Sequence, residues 1–182
     1  MCDASNANNI NGADGFNVIE LDAPEELEKI IRQIRHKLVD LLSRREHSHA
    51  ELVQKLIQRG YQKSDIIPVL DELVKKDWQS DQRFAQAYVR YRSSRGFGPD
   101  RITQELREKG INGELIARFV VSDPSLDPSL DPGIDWCEIA KEVYLKRFGD
   151  NNPLSFEELV KRKKYLLYRG FNHEQIKQVM ST

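Results

Sequence analysis

Apolar residues recur along the chain at the spacing of one helix face, and three of these series end at a glycine. The clearest case is the stretch LREKGI at residues 106–111, where Leu106 and Ile111 flank Gly110. Glycine takes the left-handed conformation without a Cβ penalty, and many helices end on such a residue. Leu106 and Ile111 then hold the two positions that touch across a Schellman cap. The pattern predicts a helix that ends at Gly110.

The pattern around Gly110 occurs again at Gly60 and Gly170, within LIQRGY at 56–61 and LLYRGF at 166–171. The basic residue before each glycine suits the negative end of a helix dipole. Apolar residues also follow each glycine at three shared offsets, which is typical of one face of a short helix. They are Ile66, Ile116 and Ile176; Val69, Phe119 and Val179; and Leu70, Val120 and Met180. This agreement predicts tandem copies of one helical unit.

A low-complexity segment explains the unequal spacing of the copies. The glycines are separated by fifty and then sixty residues, and the ten residues DPSLDPSLDP at 123–132 account for the difference. No stretch has the sustained two-residue alternation of a strand. We therefore predict an all-α fold of three tandem three-helix repeats. The predicted segments are a disordered acidic tail at 1–23, repeats at 24–78, 79–121 and 134–182, and an Asp/Pro/Ser linker at 122–133.

Capping residues predict where several helices begin. Pro24 is well placed to open the first helix. Residues 48–51 and 155–158 both have the S-x-x-E spacing of a capping box. We expect Ser64 to cap the third helix, in which Pro68 would force either a late start or a kink.

The amino-acid composition suits a helical repeat array, and the apolar segments indicate the cellular compartment. Of the 182 residues, 39% are apolar and 31% are charged, a balance that fits units which each bury a narrow stripe. No segment resembles a signal peptide or reaches the roughly eighteen apolar residues of a membrane span. Cys2 lies in the predicted tail, so a structural disulfide with Cys137 is not expected. We expect a cytoplasmic protein with no membrane association.

The net charge of −1 conceals an uneven distribution. Residues 1–24 hold four acids and no bases, residues 25–119 hold nineteen bases and fifteen acids, and residues 120–182 hold nine bases and ten acids. A modestly basic middle segment favours an acidic partner or nucleic acid. The near-zero net charge of the whole chain argues against DNA as the main target.

The sequence offers no convincing catalytic or metal centre. His47 and His49 have Glu46 and Glu51 nearby, but two residues two apart do not share one helix face. We interpret both histidines as solvated loop residues and expect neither a metal nor a cofactor. Gly96-Phe97-Gly98 is not a phosphate loop, because no strand precedes it and no Gly-Lys-Ser/Thr follows.

Two basic segments are candidates for contact with a partner. The first follows Ser80-Asp81, which we expect to start a helix with Phe84, Tyr88 and Tyr91 as its apolar face. Its candidate binding residues are Tyr88, Arg90, Arg92 and Arg95. The alternative interpretation places the tyrosines in the core and the arginines on a solvated face. The second segment is the run Lys161, Arg162, Lys163 and Lys164, part of which must face solvent because consecutive residues point around a helix.

The middle of the chain resembles one known family. The segments DxRFAxxYxxxR at 81–92 and GxGPxxIxxELxxKGI at 96–111 are similar to the RecX family, as is RREHS at 44–48 ahead of Glu51 and Leu52. The resemblance covers about residues 30–182. It implies an elongated, curved array of three three-helix repeats that is not an enzyme. It also implies a bacterial regulator that binds the helical groove of the RecA–DNA filament and restrains its activities.

These observations lead to one main expectation and two alternatives. We expect a monomer whose partner is the RecA filament, with DNA bound only weakly. One alternative is a helical DNA-binding protein that competes with the recombinase for single-stranded DNA, which predicts tight, salt-sensitive binding to DNA alone. The other is an enzyme, which would need convergent polar groups that this sequence does not supply.

Overall fold

Three hydrophobic cores follow one another along the chain, and three helices enclose each of them. The computed structural model describes residues 23–121, 134–150 and 155–181. These residues form helices without a strand, which confirms the all-α prediction and the three three-helix repeats. The predicted linker at 122–133 lies outside the described residues, as does the predicted tail apart from Ala23, which begins the first helix.

The first repeat contains α1 (Ala23–Arg44), α2 (His49–Ile57) and α3 (Lys63–Lys75). The second contains α4 (Asp81–Ser94), α5 (Pro99–Glu108) and α6 (Gly113–Ile116), which continues as a π-helical turn at Ala117–Val121. The third contains α7 (Trp136–Phe148), α8 (Phe156–Arg169) and α9 (His173–Met180). Among these helices, none is long and apolar enough to cross a membrane.

The middle helix of every repeat ends as the glycine pattern predicts. Gly60, Gly110 and Gly170 have φ angles of +91°, +76° and +93°, in the left-handed region that favours glycine. In each case the amide after the glycine donates to the carbonyl of the leucine five residues earlier, which is the Schellman bond. The N···O distances are 3.2 Å for Tyr61 to Leu56, 3.0 Å for Ile111 to Leu106 and 3.1 Å for Phe171 to Leu166. The predicted caps are confirmed.

Most predicted helix starts are also confirmed, but the start of α3 is wrong. The hydroxyls of Ser48, Ser80 and Ser155 accept from the amide three residues on. By contrast, α3 begins after Gln62 rather than at Ser64, and it continues through Pro68. Of the two alternatives predicted for Pro68, the late start is therefore wrong. The flanking buried residues Ile66, Val69 and Leu70 hold the helix against the first core, although proline lacks an amide donor.

The repeated apolar positions contribute to the cores, and one separate prediction for α4 is wrong. Ile66, Ile116 and Ile176 are all buried. In α4, the predicted apolar residue Tyr91 is exposed, whereas Val89, which was not predicted, is buried. The error arose because the larger aromatic side chain was assigned to the core, whereas the helix turns the smaller valine inward beside Phe84.

Candidate partner-binding surface

The second and third repeats meet where the C-terminal end of α8 contacts the N-terminal end of α5. The amide of Gly98 donates to the Arg169 carbonyl at 2.8 Å, and the amide of Asp100 donates to the Gly170 carbonyl at 3.0 Å. These bonds satisfy groups that a helix end otherwise leaves without a partner. The positive dipole end of α5 therefore lies against the negative dipole end of α8.

The approach at this junction is close enough to require glycine on both sides. A Cβ added to Gly98 would lie 2.3 Å from the Gly170 oxygen and 2.6 Å from the Phe171 nitrogen. A Cβ added to Gly170 would lie 2.4 Å from the Cβ of Arg101. The neighbouring atoms include backbone that cannot move independently. The relative position of the two repeats is therefore fixed by backbone contact.

Three arginines surround one aromatic ring beside this junction. α4 ends in a further Schellman cap, in which Gly96 has φ of +74° and the Phe97 amide donates to the Arg92 carbonyl at 3.2 Å. The guanidinium carbons of Arg92, Arg101 and Arg169 lie 3.6, 4.8 and 5.1 Å from the centre of the Phe97 ring. Cations are attracted to the face of an aromatic ring, so Phe97 gathers positive charge from three helices.

Glu105 holds two of these helices together. Its carboxylate accepts from Arg92 Nε at 2.7 Å, from Arg101 Nε at 3.1 Å and from the Tyr88 hydroxyl at 3.0 Å. Burial acts to raise the pKa of Glu105, but the hydrogen bonds from Arg92, Arg101 and Tyr88 together outweigh it, and the pKa is lowered. Burial, followed by the Glu105 charge, raises the pKa of Tyr88 to about 12.

A groove of about 670 Å³ opens between the second and third repeats. Its apolar floor includes Ile139 and Val143 of α7. Its other lining residues include four bases and one acid, which are Arg95, Lys146, Arg147, Arg169 and Glu142. None of these four bases forms an ion pair with a carboxylate in the described part of the chain. We call this surface the basic groove. It can accept an anionic partner without first breaking an internal salt bridge.

The first predicted binding segment is divided by the structure. Tyr88 and Arg92 both bond the Glu105 carboxylate and so hold α4 against α5. Arg90 is exposed. Arg95 is exposed at the rim of the basic groove, and its guanidinium lies 5.3 Å from the centre of the Tyr91 ring. Only Arg95 of the four predicted residues lines the groove.

The second predicted segment also divides. Lys161, Lys163 and Lys164 are exposed on α8. Arg162 is only 4% exposed, bonds the Tyr144 hydroxyl at 2.7 Å and pairs with Glu158. We therefore correct the prediction for Arg162, because a buried guanidinium that completes the edge of the third core is unable to reach a partner.

Sequence reasoning missed Lys146, Arg147 and the groove role of Arg169. The first two are ordinary surface bases in the sequence, and only the fold brings them beside α4. Arg169 was assigned to the helix dipole because it precedes Gly170. Its side chain in addition donates to the Arg95 carbonyl at 3.2 Å across the repeat junction.

His47 is not a solvated loop residue, and that interpretation was wrong. It is 3% exposed at the junction of the first two repeats, where Gln79 Nε2 donates to its carbonyl at 3.1 Å. Its Nδ1 lies 3.1 Å from a Glu51 oxygen. Burial, then the charge of Arg45, lowers the pKa of His47. Over residues 23–121, 134–150 and 155–181, no three His, Cys, Asp or Glu side chains are grouped as metal ligands.

Comparisons with known proteins agree with one another. Family models described as the first, second and third three-helix domains of RecX match residues 35–73, 80–118 and 134–180. The chain is 36% identical over 149 residues to "Regulatory protein RecX" of Pseudomonas entomophila, covering 81% of this chain and 90% of that protein. It is 37% identical over 144 residues to the protein of the same name from Halorhodospira halophila, covering 79% and 84%.

Solved structures with the same fold carry the same name. The structure titled "Crystal structure of RecX from Lactobacillus salivarius" has a TM-score of 0.66 at 20% identity, covering 85% of this chain and 96% of that one. A second, titled "Crystal structure of regulatory protein RecX", has a TM-score of 0.70 at 22% identity, covering 86% and 76%. At these identities the likeness concerns the fold alone.

Proposed function

This chain belongs to the RecX family of regulatory proteins, and we propose that it is a negative regulator of the RecA recombinase. It binds in the helical groove of the RecA–DNA filament in the bacterial cytoplasm. There it restrains filament extension, ATP hydrolysis, strand exchange and the co-protease activity that drives the SOS response. The regulatory role follows from the family, and the recombinase as target follows from what the resemblance implies.

The architecture suits binding along a larger assembly. Each repeat has its own small core, so the chain presents much surface for its mass and few places to enclose a substrate. A protein of this kind regulates by linkage. It shifts the recombinase between conformations by no more than its difference in affinity for them.

The observation that best supports a contact site is the basic groove. Arg95, Lys146, Arg147 and Arg169 face one cavity with a single acid, Glu142. Complementary charge across an interface speeds association and favours the correct partner. The groove therefore fits an acidic surface of the filament, and its apolar floor adds the dehydrated contact that a specific interface needs.

Binding of fluorescently labelled protein to filaments assembled on single-stranded DNA tests this site. The double variant Lys146→Glu with Arg147→Glu should bind at least about tenfold more weakly, roughly 1.4 kcal/mol, because two attractive charges become repulsive. The matched control is Arg32→Glu with Lys37→Glu, since both residues are exposed on α1 outside the groove. Equal binding by the two double variants would remove the groove from the proposal.

A second candidate function is competition for single-stranded DNA. The exposed rings of Tyr91 and Tyr168 have arginine guanidinium groups 5.3 and 5.2 Å from their centres. Aromatic rings beside arginine are the stacking platforms that single-strand binding proteins use. This candidate predicts salt-sensitive DNA binding in the absence of recombinase, lost on Tyr91→Ala and Tyr168→Ala. Filament binding that survives both substitutions would favour the first proposal.

A further inference from the structure

The two junctions between repeats are built in the same way. At the first, the Ser48 hydroxyl at the start of α2 donates to the Lys109 carbonyl at the end of α5, at 2.8 Å. At the second, the Gly98 amide at the start of α5 donates to the Arg169 carbonyl at the end of α8, also at 2.8 Å. In both, the acceptor is the residue before the left-handed glycine. The middle helices therefore stack in the order α8, α5, α2, each N-terminal end on the preceding C-terminal end.

The glycine itself takes part in both junctions. A Cβ added to Gly110 would lie 2.7 Å from the Cβ of Ala50, and one added to Gly170 would lie 2.4 Å from the Cβ of Arg101. The missing side chain lets the next helix approach. Glycine at these positions serves the left-handed cap and the close contact together.

A third copy of this docking surface is present, and no described residue occupies it. Gly60 ends α2 with the same cap, yet a Cβ built there meets no atom within 4 Å. Arg59, whose carbonyl corresponds to those of Lys109 and Arg169, is exposed, as are Gln58 and Gly60. The positive φ of Gly60 is by itself a sufficient reason for glycine at this position, since no close contact requires one. Among residues 23–121, 134–150 and 155–181, no helix covers Gly60 as α2 covers Gly110 and α5 covers Gly170.

The matching surface lies at the other end of the stack, at the start of α8. Ser48 accepts from the Glu51 amide at 3.1 Å while it donates to Lys109. Ser155 accepts the same bond from the Glu158 amide at 3.2 Å, and it is exposed, so its hydroxyl proton can donate outward. The next residue, Phe156, is 79% exposed, more than any other large apolar side chain in the described residues.

Charge is complementary between the two ends. The first turn of α8 carries the exposed Glu157, and the end of α2 carries Lys55 and Arg59. Stacking α8 on α2 would also bring opposite helix-dipole ends together, as both junctions within the chain do. We infer that copies of this chain associate head to tail, with the start of α8 in one copy docked on the Gly60 end of α2 in the next.

Such a contact joins two different surfaces, so it does not close into a dimer and it extends as an open array. The contact involves one helix end, which places it in the weak class of interfaces, with dissociation constants of roughly 0.1–1 mM. This association between copies of the chain does not require the recombinase. On a filament groove, however, neighbouring copies would reinforce one another's binding.

Sedimentation velocity of the full chain tests the inference without any recombinase. The weight-average sedimentation coefficient should rise between roughly 10 μM and 1 mM, the range set by a weak interface. Phe156→Ser should abolish the rise. Val121→Ser is the matched control, because Val121 is 72% exposed and belongs to neither end of the stack. A coefficient that stays constant, or a rise that Phe156→Ser leaves unchanged, would overturn the inference.

A charge swap separates docking from loss of folding. Arg59→Glu alone and Glu157→Arg alone should each reduce association, and the two together should restore it. Circular dichroism confirms that each variant keeps its helical content. Restoration supports the proposed pair of ends, whereas a double variant weaker than both single variants argues against it.

Discussion

Gly98→Ala is the substitution that tests the junction between the second and third repeats most sharply. Gly98 has φ of −85°, which alanine adopts without strain, so the backbone itself does not oppose the change. The added Cβ would lie 2.3 Å from the Gly170 oxygen and 2.4 Å from its carbonyl carbon. Neither atom can move unless α8 moves, and the junction must open to accept the methyl group.

The expected magnitude combines a steric cost with the loss of two hydrogen bonds. Overpacking at a close approach costs about 1–3 kcal/mol, and the bonds from the Gly98 and Asp100 amides contribute about 1 kcal/mol each. Alanine recovers about 0.4–1 kcal/mol by restricting the unfolded chain. The net loss of stability relative to the unfolded chain should be about 2–4.6 kcal/mol. Because each repeat has its own core, we expect the third repeat to undock before it unfolds.

Hydrogen exchange and urea unfolding measure this effect. Amides at the two sides of the junction, those of Gly98, Asp100 and residues 169–171, should exchange faster in Gly98→Ala, and the third repeat should unfold at lower urea. Gly113→Ala is the control, since Gly113 has no positive φ and a Cβ there meets nothing within 4 Å. Wild-type exchange and urea midpoint in Gly98→Ala would refute the backbone-contact account of this junction.

Three further predictions concern caps, a buried ion cluster and pH. Gly60→Ala should lower the free energy of unfolding by about 1 kcal/mol, because alanine is strained at the left-handed φ. Gly110→Ala should lower it by at least about 1 kcal/mol more, because its Cβ also meets Ala50. Equal urea midpoints for the two variants would contradict this. Glu105→Gln should cost about 2–3 kcal/mol, because it leaves two part-buried arginines without their carboxylate; a change in melting temperature below about 2 °C would be too small for that role. The pKa of His47 is lowered in the folded chain, so the unfolded chain binds the proton first as pH falls. The stability that neutral His47 contributes is therefore present above its ordinary pKa of about 6.5 and is lost as pH falls below that value. Between about pH 8 and pH 5 the melting temperature of the parent should fall more steeply than that of His47→Gln, and parallel curves would exclude His47 as the cause.

Local signals in the sequence predicted the helix ends well because caps act over a few residues. The three glycine caps and the serine starts at 48, 80 and 155 depend on backbone geometry that a short segment dictates. The start of α3 was misjudged because serine is a good capping residue and proline is rare inside helices. The helix instead begins at Lys63, ahead of both Ser64 and Pro68, and its buried residues begin at Ile66. Tertiary packing decided that start rather than local preference.

The binding surface was harder to predict because it is shared between repeats. Arg95 and Lys146 are fifty-one residues apart in sequence and line one groove. Arg92 and Arg162 resembled surface bases in the sequence. In the structure Arg92 pairs with Glu105, and Arg162 donates to the Tyr144 hydroxyl. A helix periodicity assigns faces within one element, and it carries no information about which face a neighbouring repeat covers.

The most direct test of the central claim is the RecA ATPase on single-stranded DNA, with this protein titrated into the reaction. The account predicts that hydrolysis falls as the protein is added, and that Lys146→Glu with Arg147→Glu needs about tenfold more protein for the same inhibition, while Arg32→Glu with Lys37→Glu behaves as the parent. Hydrolysis that stays constant at saturating protein would contradict the account.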